Sequence, residues 1–588
     1  MSWNIVAANR RLLAQEVGAK VKDWGGRIPV ALAFANTYHT GMSNLGFQAV
    51  YSLFNTHDDV VCERFFLPDS GLAAEYLRTR TPLLSLETQR PMAEFELVAF
   101  SLSHENDYPG MLKMLRLAGI AGRRDERGEG DALVLAGGVT TRTNPEPLAE
   151  FIDLFLIGDG EILVPALLRA WREARSTPLP KTDRLLHLAR SVPGAYAPGF
   201  YEAVLDREGR LKSFEALHHD LPPRLTIARA AQLPSPALKT EILTPATEFS
   251  NTRLVEIGRG CGRACRFCLA GFAYRPPRTA KMEDILQSLG PPRTDCERVG
   301  LVSPAVTDHP QLTDIIRSLT DQGREVTLSS MRVEALTPEL IDALGAGHLR
   351  SAAIAPEAGT ERLRQYINKG LTEGQILEGM ELLAEAGLKR LKLYFMLGLP
   401  SETRDDVRAI AHLVGRIRDR LRRLVRGRRL LPELVLSIAS FVPKPFTPFQ
   451  QTPMLDRKEL KARARIIQSE LKKEKGVRVH FDLPKWAYLQ TLLSRGDRRT
   501  ATIIEALDRF DGQLTQALKQ VAFNPDYFVT RNMDQDALFP WSFIDHGFEA
   551  DFFSRELQRA REMRPTPPCQ PASCRQCGIC PLDDPGPD

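Results

Sequence analysis

Gly258-Arg259-Gly260-Cys261-Gly262-Arg263-Ala264-Cys265-Arg266-Phe267-Cys268-Leu269-Ala270-Gly271 is the stretch on which the fold turns. Its cysteines are spaced C-x3-C-x2-C, with an aromatic residue, Phe267, directly before the last. Three close thiolates can hold three corners of a [4Fe–4S] cluster and leave one iron open for chemistry. The plainer readings are a zinc knuckle or three buried thiols. Structural zinc draws four ligands from close by, and here Cys296 lies far along the chain with no His between.

Outward from this motif, a strand-like run, Thr252 to Ile257, leads straight into the cysteines. Further strand patterns follow at 299–302, 325–328, 351–354, 391–395 and 434–438, with helical patterns between them. Six such units predict an open or partial (β/α) barrel, whose active residues gather at the carboxyl ends of strands. The cysteines follow the first strand, as that rule requires. Upstream, apolar runs at 28–34, 97–102, 132–136 and 154–157 alternate with helical segments at 41–54 and 109–118. This alternation predicts a parallel, doubly wound sheet. Ligands on such sheets sit beyond the carboxyl ends of strands, where Gly137-Gly138 and Gly158-Asp159-Gly160-Glu161 fall. Residues 200–216 read as a hairpin turning near Glu208-Gly209, and 221–248, rich in Pro, Thr and Ser, as a linker. Beyond 450 the pattern is mostly helical, ending in a cysteine cluster and a Pro, Gly and Asp tail whose composition suggests disorder.

Composition sets outer limits. A chain of 588 residues suggests about three or four domains. A net charge of +5 is too small at this size to argue for nucleic acid. No run approaches the ~18 apolar residues of a membrane helix, and the first twenty residues lack a signal peptide's apolar core. From these features a cytoplasmic protein away from membranes is expected. Of nine cysteines, seven lie in two tight groups, which disfavours a disulfide framework.

Three later segments, Ile354 to Glu361, Tyr394 to Thr403 and Phe441 to Phe449, resemble parts of radical S-adenosylmethionine (SAM) proteins, as does the cysteine motif. With Asn144-Pro145-Glu146-Pro147, Ser494-Arg495-Gly496-Asp497-Arg498-Arg499 and Cys577-Gly578-Ile579-Cys580, nearly the whole chain resembles one family. Its uncharacterised members join a cobalamin-binding-like domain, a radical SAM barrel and a C-terminal cysteine cluster. The resemblance implies an α/β chain with five parts. A doubly wound, flavodoxin-like cobalamin-binding-like domain spans 1–199, and a hairpin and linker 200–248. A radical SAM partial (β/α) barrel spans 249–450, a helical region 451–566 and a cysteine-rich tail 567–588. It implies an enzyme in which a [4Fe–4S] cluster cleaves SAM reductively to a 5′-deoxyadenosyl radical.

By position, the resemblance makes Cys261, Cys265 and Cys268 the cluster ligands and sets Phe267 against the adenine of SAM. Glu357 is the candidate for the ribose hydroxyls, since a carboxylate accepts two hydroxyl hydrogen bonds well. Arg332, in Ser329-Ser330-Met331-Arg332, would hold the SAM carboxylate. A structural ion pair is the competing reading for both. Gly398 permits a close turn at a strand end. In the family, Ser101 and Gly137-Gly138 line the pocket for the cobalamin nucleotide tail. The D-x-H-x-x-G signal is absent, so His39 is not expected to ligate cobalt. Cobalamin would make methyl transfer the natural reaction; without it, hydrogen abstraction followed by rearrangement or sulfur insertion is expected. The catalytic residues and the substrate stay open.

Cys569, Cys574, Cys577 and Cys580 pack four thiols closely and end in Cys-Pro. The x2, x2 rhythm is nearer to ferredoxin spacing than to a zinc ribbon, leaving a second iron–sulfur cluster or zinc. The electron donor would be of flavodoxin or ferredoxin type. Arg416 to Arg429, RIRDRLRRLVRGRR, reads as a solvated helix face with Ile417, Leu421 and Leu424 turned inward, or as a phosphate-binding patch for RNA joined by Arg498 and Arg499. The alternative to an enzyme is a non-catalytic iron–sulfur binding or sensing protein holding an RNA or protein partner.

Overall fold

The computed structural model describes residues 2–580, apart from 293–296, 330, 347–350, 425–430, 473, 535–536, 572 and 575. Cys296, Ser330, the last part of the basic stretch and the tail after Cys580 therefore lie outside the described residues.

The N-terminal sheet is built from β1 (Ile28–Phe34), β2 (Val60–Phe66), β3 (Leu97–Ser101), β4 (Leu133–Gly137), β5 (Leu154–Leu156) and β6 (Ala195–Tyr196). Their order is β2-β1-β3-β4-β5-β6, with every pairing parallel except that of β6. Every residue of β1 is buried, as expected where helices cover both faces of a parallel sheet. Chain order reverses between β1 and β3, the switch point at which doubly wound sheets open a crevice. The expected 41–54 helix is divided into Tyr38–Met42 and Leu45–Asn55, with Asn44 capping the second through the Phe47 amide at 2.9 Å.

β2 escaped the reading of apolar runs because Glu63 and Arg64 sit at its centre. Both are buried by tertiary partners. The Arg64 guanidinium lies 2.6 Å from Glu16 and 2.7 Å from Glu87, and Glu63 accepts from Trp24 Nε1 at 2.9 Å.

β7 (Tyr201–Leu205) and β8 (Leu211–Ala216) form the expected hairpin. The linker is stitched down at four places, one of them the bridge of Leu243 to Val17. Its β9 (Leu225–Thr226) pairs with Ile544–Asp545 near the C-terminus, Ala228 bridges Gly158, and Lys239 bridges Val255.

The second α/β unit contains β10 (Thr252–Glu256), β11 (Gly258–Arg259), β12 (Arg278–Thr279), β13 (Arg298–Val302), β14 (Glu325–Leu328), β15 (Ser351–Glu357), β16 (Arg390–Leu397), β17 (Glu433–Ser440) and β18 (Val477–Phe481). The main strands form two parallel sheets, β10-β13-β14 and β15-β16-β17-β18. The Met331 amide bonds to Ala353 O at 3.0 Å across the gap between them. β18 was not anticipated: its run Val477-Arg478-Val479-His480-Phe481 is short and polar on alternate positions. It extends the half-barrel from within the otherwise helical region. Among the described residues, no helix is long and apolar enough to cross a membrane.

Helix Arg404–Leu424 buries Ile417 and Leu421 as expected, but Leu424 is exposed. The described arginines from 416 onward have acidic or carbonyl partners: Arg416 with Glu373, Arg418 with Glu474, Arg420 with Glu381, and Arg422 and Arg423 with Asp419. Arg498 and Arg499 do not extend a phosphate-binding patch. Arg498 is bound by Glu146 at 2.8 Å and by Tyr196 Oη at 2.8 Å, and Arg499 by Asp497 at 2.7 Å and Gly209 O at 2.8 Å.

Candidate active site

β10 delivers the chain to the cysteine loop, and the two-residue ladder of β11 with β12 closes the loop at its base. Gly260 takes φ +77°, and a Cβ there would lie 2.5 Å from Tyr274 O, so a side chain is excluded. Inside the loop, Cys261 N donates to Ala270 O and Cys268 N to Cys265 O, both at 3.0 Å. Arg263 N donates to Cys261 Sγ at 3.4 Å.

Arg266, wholly buried between two cysteines of the motif, pins the loop from behind. Its guanidinium donates to Tyr366 O at 2.8 Å, Arg564 O at 2.6 Å and Thr566 Oγ1 at 3.1 Å. Nothing in the linear motif marks this arginine, because its acceptors come from two distant segments.

Cys265 is buried, and Cys261 and Cys268 are half-buried. Burial pushes the Cys268 thiol up to about 12, with Cys265, Cys261 and, further down, Glu357 adding to the rise. Burial also raises Cys261, against the pull of Arg332. Burial thus favours the neutral thiols in this loop, and bound positive charge would favour the thiolates. Among the described residues, no three His, Cys, Asp or Glu side chains are gathered closely enough to hold one metal ion.

The structure brings Arg332 and Glu357 to this loop. Arg332 Nε donates to Glu334 at 2.7 Å; burial works against its charge, but Glu334 and Cys265 outweigh it. Glu357 ends β15 at φ +69°, where the pairing register shifts, and lies 3.6 Å from Lys369 Nζ. Burial raises its pKa, while Lys369 and then Arg332 lower it. Arg332 and Glu357 each keep a separate ion-pair partner. Phe267 is half-buried against an apolar cluster that includes Ala358, Leu399 and Phe441, from the ends of three barrel strands. Gly398, at φ +83°, donates its amide to Glu402 at 3.0 Å and faces Leu455 and Leu460, so its visible role is a packed turn.

Two cavities flank the loop. One, of about 560 Å³, is lined by Cys261, Arg263, Asp308 and His309, with Pro568 and Cys569 from the tail. The other, of about 540 Å³, lies at the carboxyl ends of β3 and β4 and is lined by Ser101, Gly137, Gly138 and Asn44. Gly258, Gly260 and Ser303 line both. Each is within the usual size range of a ligand pocket. At Gly138, φ +119° and a Cβ position 2.3 Å from Leu102 O explain the glycine by backbone packing. His39 is exposed on its short helix and lines neither cavity.

Residues 46–198 match the family model for radical SAM proteins, N-terminal, and residues 255–414 that of the radical SAM superfamily. The chain belongs to the radical SAM superfamily. It is a radical SAM enzyme, and the superfamily works with a [4Fe–4S] cluster and SAM. The radical SAM enzyme is 26% identical over 483 residues to uncharacterized protein MJ0966 of Methanocaldococcus jannaschii, covering 81% of this chain and 90% of that protein. It is 23% identical over 197 residues to uncharacterized methyltransferase PH0819 of Pyrococcus horikoshii, covering 32% of this chain and 42% of that protein. Among solved structures, it is similar to TsrM from Kitasatospora setae with cobalamin and a [4Fe–4S] cluster bound, with TM-score 0.47, 14% identity and coverage of 72% and 74% of the two chains. It is also similar to OxsB with aqua-cobalamin and SAM bound, with TM-score 0.45, 12% identity and coverage of 84% and 72%.

Proposed function

We propose that this radical SAM enzyme binds its cluster at Cys261, Cys265 and Cys268, takes cobalamin in the cavity above the N-terminal sheet, and transfers a methyl group to a carbon of its substrate. The observation that carries the reading is that the two cavities share Gly258, Gly260 and Ser303. A ligand seated against Ser101, Gly137 and Gly138 is thereby next to the loop that holds the cysteines. When bound, the cluster supplies the electron that cleaves SAM, and cobalamin supplies a methyl carrier.

The chain's own residues bind and orient. Glu357 accepts hydrogen bonds from the SAM ribose hydroxyls, and Lys369 at 3.6 Å opposes the rise that burial causes in its pKa. Arg332 faces the SAM carboxylate from beside Cys261 and Cys265, held in place by Glu334. Phe267 supplies an apolar wall for adenine, and Gly398 fixes the turn after β16. His39 stays away from the cobalt. We assign 1–199 to cobalamin, 249–450 to SAM chemistry, 451–566 to support and 567–588 to a second metal site. The electron donor is a flavodoxin- or ferredoxin-type protein, and the compartment is the cytoplasm.

The test is anaerobic reconstitution with hydroxocobalamin, then SAM and a low-potential reductant. Expected are bound cobalamin with a spectrum unchanged in His39→Ala, and 5′-deoxyadenosine formation that disappears in the Cys261/Cys265/Cys268→Ala variant. Deoxyadenosine without cobalamin binding would remove methyl transfer and leave hydrogen abstraction.

A further inference from the structure

The four tail cysteines take no part in the Cys261 loop. Resting on the assignment of that loop to a cluster, we propose that Cys569, Cys574, Cys577 and Cys580 ligate a second iron–sulfur cluster. It would be seated against the Cys261 loop and beside the half-buried Arg229 and the buried Arg275, and would relay electrons into the site.

The tail is strapped onto the loop. Thr566 Oγ1 donates to Glu556 at 2.5 Å, and Thr566 N donates to Asn368 Oδ1 at 2.9 Å. Asn368 Nδ2 in turn donates to Ala264 O at 3.0 Å, inside the cysteine motif. The strap ends where Cys569 N donates to Gly262 O at 2.6 Å, which sets the first tail cysteine beside the residue after Cys261. Cys577 is buried in an apolar nest with Phe272, Phe552 and Ile579, and its carbonyl accepts from Glu549 N at 3.0 Å. The four cysteines are thus carried by one short segment that is anchored at Cys569 on the Cys261 loop and at Cys577 in the apolar nest.

The charge around them is unbalanced. Asp159 is shared by Arg142 at 2.8 Å and Arg278 at 2.7 Å, while Arg259, 3.6 Å from it, is paired with Glu161 at 2.6 Å and Glu256 at 2.7 Å. Arg229 stands close to Arg142 and Arg278 and is supported by Asp159 and by Cys577. Its Nη2 finds His546 O at 2.8 Å, but its Nε is buried without a partner, as are Arg142 Nη2 and Arg278 Nε and Nη2. Arg275 is buried over the Phe272 and Phe552 rings. Buried cations in excess of carboxylates are costly alone. Four thiolates leave an iron–sulfur cluster net negative, which would offset the charge of Arg229 and Arg275. One electron from a flavodoxin- or ferredoxin-type protein reduces the tail cluster and passes to the neighbouring cluster, leaving the tail cluster oxidised again. No bond forms or breaks, and no proton moves.

Iron, sulfide and zinc are measured in anaerobically reconstituted full-length enzyme, in Cys261/Cys265/Cys268→Ala and in Cys569/Cys574/Cys577/Cys580→Ser. Expected are about eight irons per chain in the first and about four in each variant. Wild-type iron in the tail variant, or loss of zinc in place of iron, overturns the proposal. Failure of the Cys261 loop assignment shows separately, as unchanged iron in the first variant. If the tail variant does not fold, Arg229→Leu in the Cys261/Cys265/Cys268→Ala background keeps all four tail thiols. It should retain the tail cluster's iron and shift its reduction potential to more negative values; an unchanged potential overturns the arginine contact. With intact Cys261, Cys265 and Cys268, the tail variant should lose the fast phase of reduction by a flavodoxin-type donor, and a retained fast phase overturns the relay.

Discussion

Glu357 shows how a single residue is prepared for work. It holds a left-handed backbone conformation that costs a non-glycine residue energy, at the end of a strand and beside the cysteine loop. Glu357→Gln keeps the side chain's shape and removes its charge. With iron content unchanged, SAM binding should weaken about ten- to a hundred-fold, the worth of hydrogen bonds to a charged group. Equilibrium dialysis of the cluster-loaded protein measures it, and unaltered affinity would return Glu357 to a purely structural pairing with Lys369. His546 is a second prepared residue. Its Nε2 donates to Arg142 O at 3.0 Å, Nδ1 has no partner, and burial with Arg142 beside it holds the pKa down to about 3. In the unfolded chain the imidazole titrates near ~6.5. Between these values the unfolded state binds the extra proton, so stability falls as pH drops below about 6.5, by up to about 1.4 kcal/mol per pH unit. Denaturant unfolding of wild type and His546→Asn between pH 5 and 7.5 should show this slope in the first and its loss in the second.

At the scale of elements, the joints between parts of the chain are ion pairs, exposed at one contact and buried at another. Helix Tyr108–Ala118 faces helix Ala501–Arg509 through Arg116 and Asp508 at 3.0 Å, and nearby Arg123 meets Glu505 at 2.7 Å. The deeper joint unites Asn144-Pro145-Glu146-Pro147 with Ser494 to Arg499. Asn144 Nδ2 donates to Ser494 O at 3.0 Å and Gly496 O at 2.8 Å, and Arg498 clasps Glu146 and Tyr196. Two segments singled out by resemblance are thus halves of one contact. Removing one partner of a buried pair strands the other charge, so Arg498→Met should destabilise by about 3–5 kcal/mol. Adding Glu146→Gln should recover part of this loss, as read from the denaturant midpoint. A loss below 1 kcal/mol would mean that the joint is wet and interchangeable.

At the scale of the whole molecule, the tail lies on the cysteine loop and lines the cavity beside it. A chain ending before Pro567 loses Cys569 from the rim of the cavity that also holds Cys261. It should keep the first cluster, release 5′-deoxyadenosine slowly without substrate, and lose productive turnover; chromatography of nucleoside and product from the two chains decides it. Much of this architecture is written locally. The cysteine spacing, the six barrel strands and the apolar runs of the N-terminal sheet are short-range patterns, because an apolar run or a ligand triplet carries its meaning in neighbouring residues. The Val60–Phe66 strand is not legible in that way, since Glu63 and Arg64 break the run and become buried only through Glu16, Glu87 and Trp24. Nor is Arg266, whose acceptors lie at Tyr366, Arg564 and Thr566, or the basic character of Arg498 and Arg499, which the fold spends on internal partners. The sequence by itself determined which cofactor chemistry the chain can support and the order of its parts. Only the tertiary structure decided that the two cavities meet at the cysteine loop and that the tail lies on that loop. Those contacts join residues hundreds of positions apart, and their energies depend on burial and charge pairing that no linear pattern contains.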